Sequence, residues 1–536
     1  MKQPIFRKYK ILLLIISGVV SALPLVIDEL GFVQWLSIVP MALVLVDISK
    51  DGESKLRRIY LLGLLFFESY FLVVFHWFLS MYPLEFTGIS KPAAIVVVAV
   101  AWIGLSMLES VVYALVFVAF ALISRSKLMQ REIVWSFIVP TVAAALWTVF
   151  EWIQTLFWWG VPWGRLCLGQ TNAPLLLGSA SVFGSYFVTF IIVLVNFLFA
   201  CAILSKGMRE KIYVACALGA FCLNLTIGLV VTATNKEVDR TLRVAAIQGN
   251  NPNSEGWTDQ SFEKVMDTHE RLTKKAANDG AELVLWSETA FPYTFHKTPD
   301  LSDRVSLLAQ QTGVTILVSA FTESGDGDKL YVLLIEVKPD GTFGEVEYSK
   351  QRLVPFGEFV PMRELVVMLI PPLAELKTLE NDLVAGSEST VLPTDVARIG
   401  AGICYDSIFE EEMRGAVSNG AELLVISTND SWFGDSAALR MHNSQSVLRS
   451  IELGRYVVRS ANTGISSIIA PNGRILQSLP PSVDGYVIDD VHLNTHNTLY
   501  ALIGNAFVYV CLAFLVSLII ADIIKNVISI RADRKR

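Results

Sequence analysis

The chain reads as a multi-span α-helical membrane bundle joined to an α/β layered extracytoplasmic domain. Three observations predict this. Over 536 residues the composition is 53% hydrophobic and only 17% charged, more apolar than a soluble protein of this length. The apolar residues form long runs at about 11–27, 32–48, 59–79, 93–123, 133–155, 175–204 and 212–233, with an eighth at about 499–524. Between about 240 and 490 short apolar stretches alternate with amphipathic ones, the pattern of buried strands covered by helices.

Each long run is near or above the length that crosses a bilayer. The first follows Lys2, Arg7, Lys8 and Lys10; with no convincing small-residue cleavage site and six further spans behind it, it is read as retained. The connectors alternate in charge. Basic residues crowd the amino-terminal tail, the connector with Lys50, Lys55, Arg57 and Arg58, that with Arg125, Lys127 and Arg131, that with Lys206, Arg209 and Lys211, and the tail with Lys525, Arg531, Arg534, Lys535 and Arg536. The connectors between them carry Asp28 and Glu29, Lys91 alone, or Arg165 alone. Cytoplasmic loops collect Lys and Arg, so both termini are predicted cytoplasmic and the domain after the seventh span lies outside. The predicted organisation is a seven-span membrane domain over 1–234, an α/β domain over 235–497, and an eighth span with a basic tail over 498–536.

In the middle region, strands are predicted at 242–248, 282–288, 314–320, 331–337, 396–404, 423–428 and 465–470, and helices at 260–278, 300–311, 408–418 and 437–455. Turn signals such as Pro339-Asp340-Gly341 and Pro471-Asn472-Gly473 separate them. Asp279-Gly280-Ala281-Glu282-Leu283-Val284 and Asn419-Gly420-Ala421-Glu422-Leu423-Leu424 are near-repeats, each reading as helix end, turn and buried strand, as in two similar halves of one sandwich.

The net charge is −7 and no basic patch stands out, so nucleic acid is not expected as a partner. Five of the six cysteines lie in or beside apolar spans, leaving Cys404 alone in the middle region; no internal disulfide can form there. The histidines are scattered and no Cys/His spacing suggests a metal, so neither metal nor cofactor is expected.

Cys404 ends the apolar run that begins at Ala397. It reads either as a small core residue or as a thiol delivered to a strand end. A helix start at Asp406 or Ser407 would lower its pKa through the helix dipole, and adjacent N–H groups would receive an oxyanion. Glu288 ends Leu283-Val284-Leu285-Trp286-Ser287, where a carboxylate is costly unless paired or functional. It reads as an ion-pair partner or as a general base. Lys350 precedes a stretch of prolines, glycines and aromatics that constrains a loop; it would stabilise an anion formed at an attacked carbonyl. In that stretch Glu358 orients the site or a substrate amine, or pairs with Arg352. Asn429-Asp430-Ser431-Trp432-Phe433-Gly434 is a polar turn with packed aromatics or a gate for a lipid, and Trp257 carries the same ambiguity. In the membrane region, Glu68, Glu109 and Glu151 attract functional suspicion, with snorkelling to the interface as the plain alternative for Glu151. The aromatics of 157–164 read as an interfacial belt.

Taken together, Trp286-Ser287-Glu288-Thr289-Ala290, Lys350 with Val354-Pro355-Phe356-Gly357-Glu358, Ile403-Cys404-Tyr405 and Asn429-Asp430-Ser431-Trp432-Phe433-Gly434 resemble the motifs of the apolipoprotein N-acyltransferase family. The catalytic part of that family belongs to the nitrilase, or carbon–nitrogen hydrolase, superfamily. The resemblance covers nearly the whole chain, including the stretch from Glu151 to Gln170. It implies an αββα nitrilase-like sandwich with Cys404 as nucleophile, Glu288 as base and Lys350 as oxyanion partner. Glu358, Tyr405 and Asp406 match supporting positions. Trp257, Trp432, Phe433 and Asn429 match a substrate-binding or substrate-access region. Where the family usually has Glu after Cys-Tyr, this chain has Asp406. The implied reaction takes an acyl chain from a membrane phospholipid to the α-amine of a diacylglyceryl-cysteine apolipoprotein, through a thioester, in a bacterial inner membrane with the catalytic domain on its periplasmic face. No cofactor is implied, and nothing requires more than a monomer. The rival is a membrane-anchored amidase of small amides, for which eight spans are an extravagant anchor.

Overall fold

The computed structural model describes residues 8–50, 54–84, 89–126, 129, 132–234, 239–251, 258–324, 329–369, 382–388 and 390–533. They form two compact units. One comprises 1–76, 99–234 and 503–536; the other comprises 77–98 and 235–502.

The first unit is helical. Among the described residues five apolar segments are long and apolar enough to cross a membrane: Asp28–Lys50, Lys91–Ser124, whose first residues belong to the second unit, Ser185–Ile203, Met208–Thr234 and Ala506–Ile528. Helices Lys10–Val26, Leu56–Val74 and Glu132–Ile153 fill the remaining runs. Along Lys91–Ser124, Ile95, Val96, Val100, Ile103 and Val111 are exposed, an apolar outer surface that water would not favour. The long run at 175–204 is not one helix. Two short turns precede Ser185–Ile203, and the break falls at Gly184, whose φ of +82° suits glycine.

The carboxylates of this unit have partners. Glu151 does not snorkel; it is fully buried. It accepts from the Leu166 N–H at 2.9 Å, Trp147 Nε1 at 3.1 Å and Thr189 Oγ1 at 2.7 Å. Glu109 accepts from the Val161 N–H at 3.0 Å and from Gln154. Both therefore satisfy backbone of the irregular stretch after Ile153, which a low-dielectric interior would otherwise penalise. The aromatic run divides: Phe157, Trp158 and Trp159 are exposed, whereas Trp163 is buried.

The second unit is an αββα sandwich. Its strands are β1 Thr241–Gln248, β2 Leu283–Leu285, β3 Thr315–Glu323, β4 Leu330–Val337, β5 Tyr348–Ser349, β6 Val391–Pro393, β7 Arg398–Ile403, β8 Leu423–Thr428, β9 Val457–Ala461, β10 Ser467–Ile469, β11 Ile475–Ser478 and β12 Gly485–His492. They make two six-stranded sheets in the orders β12-β1-β2-β3-β4-β5 and β11-β10-β9-β8-β7-β6. In each, three central strands run parallel, β1-β2-β3 and β7-β8-β9, with antiparallel strands outside them.

The two-residue period of a strand decides the layers. Leu242, Val244 and Ala246 of β1 share the core between the sheets with Ile399, Ala401 and Ile403 of β7 and Val458 of β9. Ala245 and Ile247 point the other way, into a second core under helices Asp259–Asn278 and Pro299–Thr312. Helices Glu410–Ser418 and Ala437–Leu453 cover the outer face of the second sheet.

The near-repeats occupy equivalent places. Gly280 and Gly420 have φ of +90° and +94°. The Ala281 N–H reaches back to Ala276 O at 2.9 Å, and the Ala421 N–H to Ala416 O at 3.1 Å. Each turn then enters the central strand of its sheet, β2 or β8. Strands β5, β6, β9, β11 and β12 were not among the predicted elements. The predicted strand at 282–288 pairs only as far as Leu285, which frees Glu288 from the ladder.

Candidate active site

Three strand ends converge. β7 ends at Ile403 and passes into a short 3-10 turn, Cys404–Ile408. Cys404 has φ +50°, a left-handed conformation that costs a non-glycine residue energy and persists only where surroundings impose it. Helix Glu410–Ser418 begins six residues later. The thiol therefore does not sit at an α-helix amino terminus, contrary to the expectation from sequence.

Lys350 follows β5 and is 1% exposed. Its Nζ donates to Glu288 Oε1 at 2.8 Å and to Glu358 Oε1 at 2.5 Å. Glu288, 4% exposed, uses its other oxygen to accept from the Asn429 N–H at 2.9 Å. The Glu288 charge also acts on the Cys404 thiol. Glu358 accepts from the Val354 N–H at 2.8 Å. Its partner is Lys350 and not Arg352, whose guanidinium instead pairs with Glu412 at 2.6 Å and lies over the Phe409 ring.

The electrostatics follow from burial. Desolvation pushes Glu288 above the usual carboxylate range; Lys350 pulls it back and Glu358 adds to the rise. Burial alone would neutralise Lys350, but Glu288 and Glu358 hold its pKa well above that of an ordinary ammonium. Burial pushes the Cys404 thiol up, the Glu288 charge pushes it further, and Lys350 only partly opposes them. The expectation of a dipole-stabilised thiolate is thus not supported: burial and the Glu288 charge both favour the thiol form over the thiolate.

Asp406 is fully buried beneath the turn. Its Oδ1 accepts from the N–H groups of Gln351 and Arg352 at 3.2 and 2.7 Å, and its Oδ2 from the Ile403 N–H at 2.9 Å and Tyr348 Oη at 2.8 Å. These donors flank Lys350 on one side and Cys404 on the other, so this carboxylate ties the two chain segments together. Burial pushes it up to about 7, with Lys350 and its hydrogen bonds holding it down. Tyr405 is buried with its ring edge-on to Phe409.

Among the remaining predicted positions, Asn429 is buried. Its Oδ1 accepts from Ser431 Oγ at 2.7 Å. Trp432 is 37% exposed. Phe433 packs edge-on against Trp77 with ring centroids 5.0 Å apart. Trp257 lies outside the described residues.

Sequence reasoning missed a buried group behind the thiol. His442 Nδ1 lies 2.8 Å from Asp430 Oδ1, and Arg459 Nη2 donates to Asp430 Oδ2 at 2.8 Å. His442 Nε2 faces the Cys404 carbonyl at 3.2 Å. A carboxylate oxygen of Asp430, a ring nitrogen of His442 and Cys404 Sγ lie within 4.8 Å of one another, a set of types that bind metals. The donors are otherwise engaged, however. Asp430 is neutralised by a guanidinium and the ring is spent on hydrogen bonds, so the set suits a network better than a cation. One signal was available: Val457-Val458-Arg459-Ser460-Ala461 is an apolar run interrupted by a charge, which reads as a strand only if that charge is paired.

A two-sheet α/β domain presenting Glu, Lys and Cys at its strand ends defines a carbon–nitrogen hydrolase domain, and residues 243–499 match the family of that description. Residues 17–198 match the apolipoprotein N-acyltransferase N-terminal domain. An apolipoprotein N-acyltransferase of Gloeobacter violaceus is 30% identical over 481 residues, covering 89% of this chain and 87% of that protein. One from Geobacter metallireducens is 29% identical over 513 residues, covering 94% and 93%. Among solved structures, an amidase from Nesterenkonia sp. aligns with TM-score 0.36 and 17% identity, covering 48% of this chain and 94% of the amidase. The chain belongs to the apolipoprotein N-acyltransferase family.

Proposed function

We propose that this protein is an N-acyltransferase of the bacterial inner membrane. It moves an acyl chain from a membrane phospholipid to the α-amine of a diacylglyceryl-cysteine apolipoprotein. The observation that carries the reading is the contact of Lys350 with both Glu288 and Glu358 beside a buried Cys404, together with membership of a family named for that activity.

Glu288 takes the Sγ proton as the sulfur attacks the ester carbonyl of the phospholipid. Lys350 Nζ and a backbone N–H of the Cys404 turn stabilise the oxyanion. As the tetrahedral intermediate collapses, the ester C–O bond breaks and Glu288 returns the proton to the leaving lysophospholipid oxygen. A thioester on Cys404 remains. The apolipoprotein amine then attacks the same carbonyl, Glu288 accepts an amine proton, the C–S bond breaks and the thiol is reprotonated. Glu358 holds Lys350, and Asp406 holds the segments carrying Lys350 and Cys404. Trp432 and Phe433 belong to the loop over which lipid reaches the site. The termini are cytoplasmic and the catalytic unit periplasmic, as the connector charges require.

Intact-mass spectrometry tests this directly. Incubation with phospholipid should add one acyl mass at Cys404, and a diacylated lipopeptide should remove it with formation of an amide. Cys404→Ala should show neither step. Turnover of small amides by water without acyl transfer from phospholipid would overturn the reading in favour of an amidase.

A further inference from the structure

We infer that His442 is a positioning residue for the nucleophile, held in place by Asp430 and Arg459. The inference rests on Cys404 being the nucleophile proposed above. Cys404 is a non-glycine residue held at φ +50°, and a strained backbone needs something to grip it. The grip is on its carbonyl. Ser407 Oγ donates to Cys404 O at 2.7 Å, and His442 Nε2 lies 3.2 Å from both Cys404 O and Ser407 Oγ.

The ring cannot turn away. Asp430 is a carboxylate, since Arg459 and His442 hold it well below the usual range against the cost of burial. Acceptor-only Asp430 therefore fixes the proton of His442 on Nδ1 and leaves Nε2 an acceptor, so the ring meets the turn through the Ser407 hydroxyl, whose proton lies between Cys404 O and Nε2, and not through a bond of its own to the carbonyl. Thr428 Oγ1 donates to the same Asp430 oxygen at 3.0 Å. All of these side chains are buried: His442 is 1% exposed, and Ser407, Thr428, Asp430 and Arg459 are fully buried.

The chain of contacts joins four elements. Arg459 comes from β9, Asp430 from the end of β8, His442 from helix Ala437–Leu453, and Ser407 from the turn after β7. The residue before Asp430 is Asn429, whose N–H holds the base Glu288. One short segment, 428–430, thus fixes the base through its backbone and the nucleophile through His442. Its continuation reaches the exposed part of the loop, because Phe433 packs edge-on to the His442 ring with centroids 6.1 Å apart. The role is distinct from that of Glu288, because the His442 ring is engaged by Asp430 on one side and the Ser407 hydroxyl on the other.

Misplacing a nucleophile by about 1 Å costs on the order of 100-fold in rate. His442→Ala should therefore slow acylation of Cys404 by phospholipid by roughly that factor in a single-turnover mass assay, while the burst amplitude stays near one acyl per folded protein. His442→Gln, whose amide oxygen can accept from the Ser407 hydroxyl in place of Nε2, should recover about tenfold of the loss. Asp430→Asn should slow acylation too, and the double variant Asp430→Asn/His442→Ala should be no slower than His442→Ala alone, since both act through one ring. A fall in amplitude with an unchanged rate constant would mean that His442 only supports folding, and would overturn the inference. So would additive effects in the double variant. If the wild-type protein acquires no acyl group, the proposed nucleophile itself fails; if it does so and His442→Ala matches its rate, only this inference fails.

Discussion

Replacing Glu288 by Gln tests the resting state of the site. The substitution keeps an oxygen for the Asn429 N–H but removes the group that takes the thiol proton. Its size can be bounded from the sulfur. An ordinary cysteine, with pKa 9.0, is about 1% thiolate at pH 7, and burial holds Cys404 above that value. Without a base, acylation relies on this small fraction, so a loss of at least ~100-fold is expected, within the range for general-base catalysis. One effect opposes the loss. Glu288 itself raises the thiol pKa, and with Gln present Lys350 faces only Glu358. The thiol pKa should drop in the variant, which makes the pH profile decisive. Single-turnover acylation by phospholipid, quenched and read by intact mass, should rise about tenfold per pH unit in Glu288→Gln as solvent removes the proton, and should be much flatter in the wild type. A variant that acylates at the wild-type rate at pH 7 would refute the base assignment, and equal slopes would refute the claim that the resting sulfur is a thiol.

Asp406→Asn would turn an NH2 group toward N–H donors that now meet a carboxylate; a loss of about 2 kcal/mol in unfolding free energy is expected from the unsatisfied donors, read as a lower Tm in detergent. Asp430→Ala would strand the fully buried Arg459, and breaking a buried pair costs about 3–5 kcal/mol; a change in Tm under 2 °C would contradict the buried pairing. His269, buried with its ring against Trp286, has its pKa lowered from 6.5 to about 4 by desolvation. Its contribution is fully present above pH 6.5 and is lost as pH falls toward 4, by about 3 kcal/mol in all. Thermal unfolding of His269→Leu should accordingly depend less on pH between 7 and 4 than that of the wild type, and parallel curves would exclude the effect.

The architecture was legible wherever one physical signal dominated. Long apolar runs and a two-residue alternation need no context, so the membrane helices and β1, β3, β4, β7 and β8 followed from pattern alone. Glu288, Lys350 and Cys404 stood out as candidates because each breaks an expected pattern at a strand end, and the structure brings Glu288 and Lys350 into contact. Edge strands were harder to see. β11 has largely exposed residues, and β12 mixes acidic residues into its run, so neither carries a clear hydrophobic period. β9 escaped because Arg459 interrupts it, and only tertiary structure reveals that Asp430 pays the cost of burying that charge. His442 was one of several scattered histidines; its significance depends on a helix packing over a turn from another part of the chain, which no local pattern encodes. Asp406 was expected to cap a helix. Its carboxylate reaches across to the backbone beside Lys350 instead, a contact spanning 54 positions in sequence.

The charges around the sulfur explain why so much buried polarity is arranged behind one thiol. Lys350 lies between Glu288 and Glu358; burial and the Glu288 charge discourage a thiolate, and Lys350 opposes them only in part. A site built to store thiolate would do the reverse. A thiol that loses its proton only as a bond forms is suited to a long-lived enzyme whose substrates arrive one after the other. The arrangement then requires the base and the sulfur to be in register at the moment of attack, because no standing thiolate compensates for a poor approach. On the inference above the 428–430 segment meets that requirement, with the Asn429 N–H on Glu288 and Asp430 acting through His442 and the Ser407 hydroxyl on the Cys404 turn. On the proposed mechanism the burial that disfavours a thiolate and the buried brace behind the turn are two parts of one solution: the first favours the protonated sulfur, and the second would make a protonated sulfur usable.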